Sequence, residues 1–304
     1  MIPFNHRDLI QSYPSAKVLF VTTETTSCAY YPGHDRSRMV TNVIFRMGAS
    51  AMLFSGTCPD AKYKLLLNER INLAASDSAY HSIFYGPDDE GINGISLSKD
   101  VVHEASHVLT KLLWKVGGRV LSFKEQAKVV WSLAVKLFPI LQKVNPGIGP
   151  AYKPTFHGSV EHFVIHSGGK KILQGIGEGL RLEPYDIEPS SATLLYYGNV
   201  SSSSTWYALS FIESMRGVKK GDRVLQVGIG SGCKAGINMW EALRPIDNVH
   251  KVWEHLAEKG SIQRVRPRGG PLGGFVKISL WVLIYLLILQ LVSILIALIA
   301  KHIK

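Results

Sequence analysis

The sequence predicts an α/β layered fold joined by a basic, glycine-rich linker to one C-terminal transmembrane helix. Three observations predict it. Short apolar or β-branched segments alternate with longer helical ones. A run of prolines and glycines, Asn145 to Pro150, interrupts the alternation near the middle. Finally, the 23 residues 278–300, ISLWVLIYLLILQLVSILIALIA, carry no charge and are bounded by Lys277 and Lys301.

In chain order, a helix begins near His6, and strands are expected at 18–23, 49–55, 63–70, 163–166, 194–197 and 223–228, each closed by a polar or glycine turn. Helices are expected at 37–46, 99–116, 123–138, 170–180 and 203–216. The Asn145 to Pro150 stretch divides a first part, 1–150, from a second, 151–258. A linker at 259–277 follows, with Gly269, Gly270, Pro271, Gly273 and Gly274 as a flexible joint. A helix over 278–300 would be roughly 34 Å long, enough to cross a ~30 Å hydrocarbon core. Arg264, Arg266, Arg268 and Lys277 precede it and only Lys301 and Lys304 follow, which favours a cytosolic globular part and a tail anchor.

Charge follows the same division. The net charge is +11, but 259–304 holds seven Lys/Arg and no acid, leaving +4 over 1–258. A nucleic-acid binder is therefore disfavoured: the globular part has no basic cluster interleaved with aromatics. Hydrophobic residues make up 46% of the 304, so a disordered chain is excluded. Cys28, Cys58 and Cys233 cannot close a disulfide framework, and no secretory signal opens the chain, which points to a reducing compartment.

Four motifs carry chemistry. His103-Glu104-Ala105-Ser106-His107 is an H-E-x-x-H on an expected helix, the spacing that lets two imidazoles hold zinc beside a glutamate base. It opens the alternative of a tail-anchored zinc peptidase, with Glu125 as the nearby third ligand; a solvated helix face is the commoner meaning of such spacing. Gly221 to Gly232 is a strand entering a glycine turn, like a nucleotide-binding methyltransferase motif. Gln226 stands where those enzymes place an acid, and too little chain follows for a doubly wound sheet. Glu161 to Gly169 is an apolar strand ending in His166 before a glycine turn, where an α/β site would hold a reactive group. Tyr197-Gly198-Asn199-Val200 precedes four serines that can cap a helix.

Taken together with TTETT (22–26), the run from Arg36 to Gly48, GISLSKD (94–100), HFVIHSGG (162–169), YGNVSSSSTWY (197–207), KKGDRV (219–224), GSGCK (230–234) and WEALRP (240–245), the chain resembles the plant-type 3-ketoacyl-CoA synthases. The stretches occur in the family's order over residues 6–247 and are highly specific as a set. The resemblance implies a thiolase-like fold of α-β-α-β-α layers with an incomplete N-terminal half. It implies an acyltransferase of very-long-chain fatty acid elongation at the endoplasmic reticulum membrane. Acyl-CoA and malonyl-CoA are the implied substrates, with no cofactor or metal, and a second copy or other elongation enzymes are the implied partners. His166 aligns with the family's catalytic histidine and Asn199 with its asparagine, while His162 and Gly232 are expected to support them. The family's nucleophilic cysteine sits in a G-x-G-C-x-x-G turn before the helix that begins here near His6. No equivalent turn is present in the sequence, so no nucleophile is assigned, an N-terminally truncated chain is expected, and a catalytically dead, membrane-anchored binding subunit is the alternative function.

Overall fold

The computed structural model describes residues 4–139, 143 and 146–258. The linker at 259–277 and the apolar run at 278–300 lie outside the described residues. Among the described residues no helix is long and apolar enough to cross a membrane.

The chain opens with α1 (Phe4–Ser12), β1 (Lys17–Glu24), α2 (Arg36–Ile44) and β2 (Gly48–Ser55). β1 and β2 pair antiparallel from Lys17 opposite Ser55 to Glu24 opposite Gly48, forming a two-stranded ribbon. Side chains alternate across such a ribbon with period two. Phe20, Met52 and Phe54 therefore turn inward onto Trp206 and Trp240, while Leu19, Val21 and Leu53 are 63%, 55% and 67% exposed on the outer face.

Next come β3 (Tyr63–Asn72), α3 (Asp77–His81), the hairpin β4 (Ile83–Pro87) and β5 (Asn93–Leu97), and the long helices α4 (Val101–Val120) and α5 (Phe123–Leu137). The chain continues through β6 (His162–Ile165), α6 (Lys170–Leu180), α7 (Pro184–Tyr197), α8 (Ser204–Phe211), β7 (Arg223–Gly230), β8 (Lys234–Ala242) and α9 (Glu254–Glu258). A π-type turn, Ile212–Arg216, extends α8. Four strands form one sheet in the order β3-β8-β7-β6, with β6 parallel to β7 and the other pairs antiparallel.

All four residues of β6 are buried, as a strand covered on both faces requires. On one face Val108, Leu112 and Val116 of α4 and Leu173 and Ile176 of α6 pack on Phe163, Ile165, Leu225, Val227 and Ile237. On the other, Val164, Val224 and Trp240 meet Trp206 and Leu209 of α8 and Ile212 of the π-type turn, with the β1–β2 ribbon packed against the same cluster. Helices, sheet, helix and ribbon thus stack in layers, the mixed α/β arrangement expected.

Several expectations need correction. The stretch 194–197 is the last turn of α7, not a strand. A short apolar run does not distinguish strand from helix by periodicity; Pro184 at the first helical position and the reciprocal caps of Glu183 and Asp186 start a helix here. The expected helix 203–216 divides into a 3-10 turn, Ser201–Ser203, then α8 and the π-type turn. The stretch 145–150 does not separate two sheets, because β3 from before it pairs along β8 from after it.

Candidate active site

His166 immediately follows β6. Its N–H donates to the Val227 carbonyl at 2.9 Å, carrying the parallel ladder one residue past the strand. The chain then folds back, and the Gly168 N–H donates to the His166 carbonyl at 2.9 Å. A Cβ on Gly168 would lie 3.2 and 3.3 Å from the imidazole Cδ2 and Nε2, so a glycine lets the turn rest against the ring. Helix α7 braces the turn: the Ser167 hydroxyl donates to the Ser190 carbonyl at 2.8 Å, and the Ile165 N–H to the Ser190 hydroxyl at 2.9 Å.

His166 is half-buried. Burial of the ring lowers its pKa to about 4, opposed by a backbone hydrogen bond with Ser201 and by the Glu24 carboxylate. The imidazole is therefore neutral at neutral pH.

Asn199 arrives from α7 through Gly198, whose φ is +70°. A side chain at Gly198 would meet the Arg46 Cγ at 2.7 Å and the Ile44 carbonyl at 2.9 Å. Asn199 is buried and its backbone is held twice: its N–H donates to the Ile44 carbonyl at 2.7 Å, and its carbonyl accepts from the Arg46 N–H at 3.0 Å. Its Nδ2 donates to the Gly168 carbonyl at 3.3 Å and its Oδ1 accepts from the Ser201 N–H at 2.9 Å. Gly168 thus touches both groups, resting on the imidazole and anchoring the amide. One Nδ2 hydrogen remains for another acceptor. A cavity of about 560 Å³ is lined by Ser201 and Arg46, whose N–H groups bond Asn199, together with Glu24, Thr25, Asn42 and Phe45 among others; His166 and Asn199 are not in its lining.

The other expected residues lie elsewhere. His162 begins β6, about 13 Å from His166 at the rise of an extended strand, and its Nε2 is 3.0 Å from the Asp222 carboxylate. It braces the start of the strand. Gly232 lies in the β7–β8 turn with φ +68°, where a Cβ would come within 3.1 Å of the Ala74 Cβ. Cys233 is buried with its sulfur 3.1 Å from the Ser82 hydroxyl, and burial pushes its thiol pKa up. Cys58 is exposed between β2 and β3, and the Cys28 side chain lies outside the described residues.

On α4 the side chains of His103 and His107 are 79% and 47% exposed, whereas Glu104 turns inward and accepts from the Ser78 hydroxyl at 2.9 Å. Glu125 is engaged separately, by Lys128, the Tyr152 hydroxyl and the Thr155 N–H. No group of three or more His, Cys, Asp or Glu among the described residues is placed to hold a metal ion.

Sequence reasoning missed a buried amide chain. Asn68 donates to Asn238, Asn238 and Trp240 donate to the Gln226 carbonyl oxygen, and the Gln226 Nε2 donates to the Thr205 hydroxyl at 2.9 Å. It ties three strands to the first turn of α8, directly behind the serines. The available signal was a glutamine in the middle of V-L-Q-V, where a buried polar group needs a partner.

The layers match those of solved type III polyketide synthases. The 1,3,6,8-tetrahydroxynaphthalene synthase of Streptomyces coelicolor aligns at 22% identity and TM-score 0.55, covering 78% of this chain and 57% of that one. The polyketide synthase domain of Steely1 from Dictyostelium aligns at 18% identity and TM-score 0.57, covering 79% and 57%. The fold is thiolase-like. Residues 5–137 match the FAE1/type III polyketide synthase-like family and residues 156–242 the 3-oxoacyl-(acyl-carrier-protein) synthase III C-terminal family. Probable 3-ketoacyl-CoA synthase 21 of Arabidopsis thaliana is 40% identical over 251 residues, 81% of this chain and 53% of the relative. Probable 3-ketoacyl-CoA synthase 20 of Oryza sativa subsp. japonica is 36% identical over 243 residues, 79% and 45%. The chain belongs to the 3-ketoacyl-CoA synthase family, and it spans about half the length of the curated relatives it matches.

Proposed function

We propose that this protein acts in the decarboxylative Claisen condensation of malonyl-CoA with a long-chain acyl-CoA, the acyltransferase step of very-long-chain fatty acid elongation. The observation that carries the reading is the convergence of His166 and Asn199 on Gly168. When malonyl-CoA loses CO2, the electron pair of the broken C–C bond moves onto the thioester oxygen as an enolate. The N–H of neutral His166 and the free Nδ2–H of Asn199 donate to that oxygen, a role typically worth ~3–4 kcal/mol per donor. The carbanion then attacks the acyl thioester and expels its thiolate. A positively charged His166 would give up its proton too readily to serve, and the low pKa supports the neutral form.

The acyl-accepting thiol is not assigned to this chain's cysteines. Cys233 is buried with a raised pKa, which disfavours thiolate. This observation favours a second reading, a binding subunit that handles malonyl-CoA without completing the transfer. Residues 278–300 are proposed as an anchor in the endoplasmic reticulum membrane, with the basic linker against anionic headgroups. Homodimers or other elongation enzymes are the proposed protein partners. The pairing of β3 with β8 supports a domain reading in which the C-terminal half starts near Tyr63.

The test is malonyl-CoA decarboxylation by the purified chain, followed as acetyl-CoA formation. Loss on His166→Ala is expected, and a rate unchanged by that substitution would overturn the role. Adding long-chain acyl-CoA separates the two readings: elongated product supports the full condensation, and decarboxylation alone supports the binding subunit. Retention of the chain in alkali-washed microsomes, lost on deleting 278–300, tests the anchor.

A further inference from the structure

We infer that Glu24 is a positioning residue for the proposed decarboxylation, its carboxylate holding the left-handed serine turn that fixes the Asn199 amide. The inference rests on the functional reading above. Glu24 is the last residue of β1, and its Oε1 accepts from the Ser202 N–H at 3.1 Å. One residue earlier, the Ser201 N–H is taken by the Asn199 Oδ1. Two successive amides of the turn are thus each held by a side-chain oxygen.

The conformation between them needs holding. Ser201 has φ +47°, a region that disfavours residues with a Cβ and typically costs ~1 kcal/mol or more. If the turn relaxes, the Ser201 N–H leaves the Asn199 Oδ1, and the amide loses one of the two bonds that set its plane. Its Nδ2 then no longer points at a fixed place beside His166. Other ties come from the same ribbon: the Thr22 hydroxyl lies 2.8 Å from the Ser203 hydroxyl and 2.5 Å from that of Ser50. Those bonds hold the end of the turn, whereas Glu24 bonds the Ser202 N–H next to the strained residue. Glu24 and Ser201 also line one cavity.

The experiment compares Glu24→Ala and Glu24→Gln in the full chain. Removing the acceptor should lower kcat for malonyl-CoA decarboxylation ~10-fold with KM within about twofold, as the loss of one hydrogen bond does. Glutamine keeps an acceptor oxygen and should recover most of the loss. Hydrogen exchange of the 199–204 backbone provides a readout independent of activity, expected to accelerate ~10-fold in Glu24→Ala and little in Glu24→Gln. If the wild-type chain does not decarboxylate malonyl-CoA, the functional reading fails and the exchange result alone decides whether Glu24 holds the turn. Exchange unchanged in Glu24→Ala, or kcat and exchange altered equally by both substitutions, would overturn the inference. Should Glu24→Ala fail to fold, Glu24→Asp, which keeps the charge but withdraws the oxygen, takes its place with the same expected direction.

Discussion

The four-stranded sheet and the β1–β2 ribbon support the two halves of one candidate site in different ways. His166 is set by the sheet: its backbone continues the β6–β7 ladder, and its strand lies between α4 and α6 on one side and α8 on the other. Asn199 is set on the opposite side, by backbone bonds to residues 44 and 46 and by the serine turn that Thr22 and Glu24 grip. The sheet buries both of its faces. The ribbon buries one, and Leu19, Val21 and Leu53 remain open on the other. The imidazole thus has a dry, two-sided support, whereas the amide depends on hydrogen bonds from a one-sided element.

Removing each proposed donor in turn gives the largest expected contrast. His166→Ala should lower decarboxylation ~10²–10³-fold, the usual cost of one oxyanion donor, while the melting temperature holds because its strand is fixed by backbone and neighbours. Asn199→Ala should lose a similar factor and also destabilise the fold, since its Oδ1 and Nδ2 join the Ser201 turn to the Gly168 turn. Equal melting temperatures in the two variants would mean that the Asn199 side chain does not tie the two turns together. Next in size is packing. Ile237→Ala removes a fully buried side chain from the sheet and should cost ~2–4 kcal/mol by denaturant unfolding. Leu53→Ala on the ribbon's outer face should stay within ~0.5 kcal/mol. A large loss at Leu53 would mean that its face is covered in solution.

A third variant probes the joint between sheet and helix. Gln226→Leu leaves the donors of Asn238 and Trp240 without an acceptor in a buried setting. Each group stranded in this way costs ~1–3 kcal/mol, and the Thr205 bond at the head of α8 is lost as well. The expected result is a lower unfolding midpoint together with weaker decarboxylation, because α8 follows the serine turn directly.

The sequence made most of the sheet legible and little of the ribbon's task. V-L-F-V-T, Y-K-L-L-L and H-F-V-I carry strand signals in their own residues, and HFVIHSGG placed His166 at a strand end before a glycine turn. β8 was illegible because K-A-G-I-N-M-W-E-A mixes glycine and asparagine into the run, and its strand character comes from pairing with β3 and β7. α7 was illegible because S-A-T-L-L-Y-Y fits either period, so its caps decided. His162 matched a family position, and the expected strand already put it at the end opposite His166; its contact with Asp222, 60 residues away in the chain, was not in the pattern. The contact of Glu24 with Ser202 joins residues 178 apart in the chain, and no local spacing encodes such a distance.

The smallest expected effect is also the most specific to the sheet side. Burial lowers the His166 pKa to about 4, against an ordinary value of 6.5. Between those pH values the unfolded chain binds a proton that the folded chain does not, so stability rises with pH across this window. The contribution is complete above pH 6.5 and is lost as pH falls toward 4. The proposed decarboxylation, if it runs on the neutral ring, should be level from pH 8 to about 5 and fall only as His166 is protonated near 4. An NMR titration of the His166 ring checks this directly, with Glu24→Gln as the sharpening variant. The Glu24 carboxylate raises the His166 pKa, so removing its charge should move the midpoint lower still while the turn stays held. A midpoint near 6.5 in the wild-type chain would mean that the sheet does not desolvate the imidazole, and the dry support assigned to that half of the site would fall.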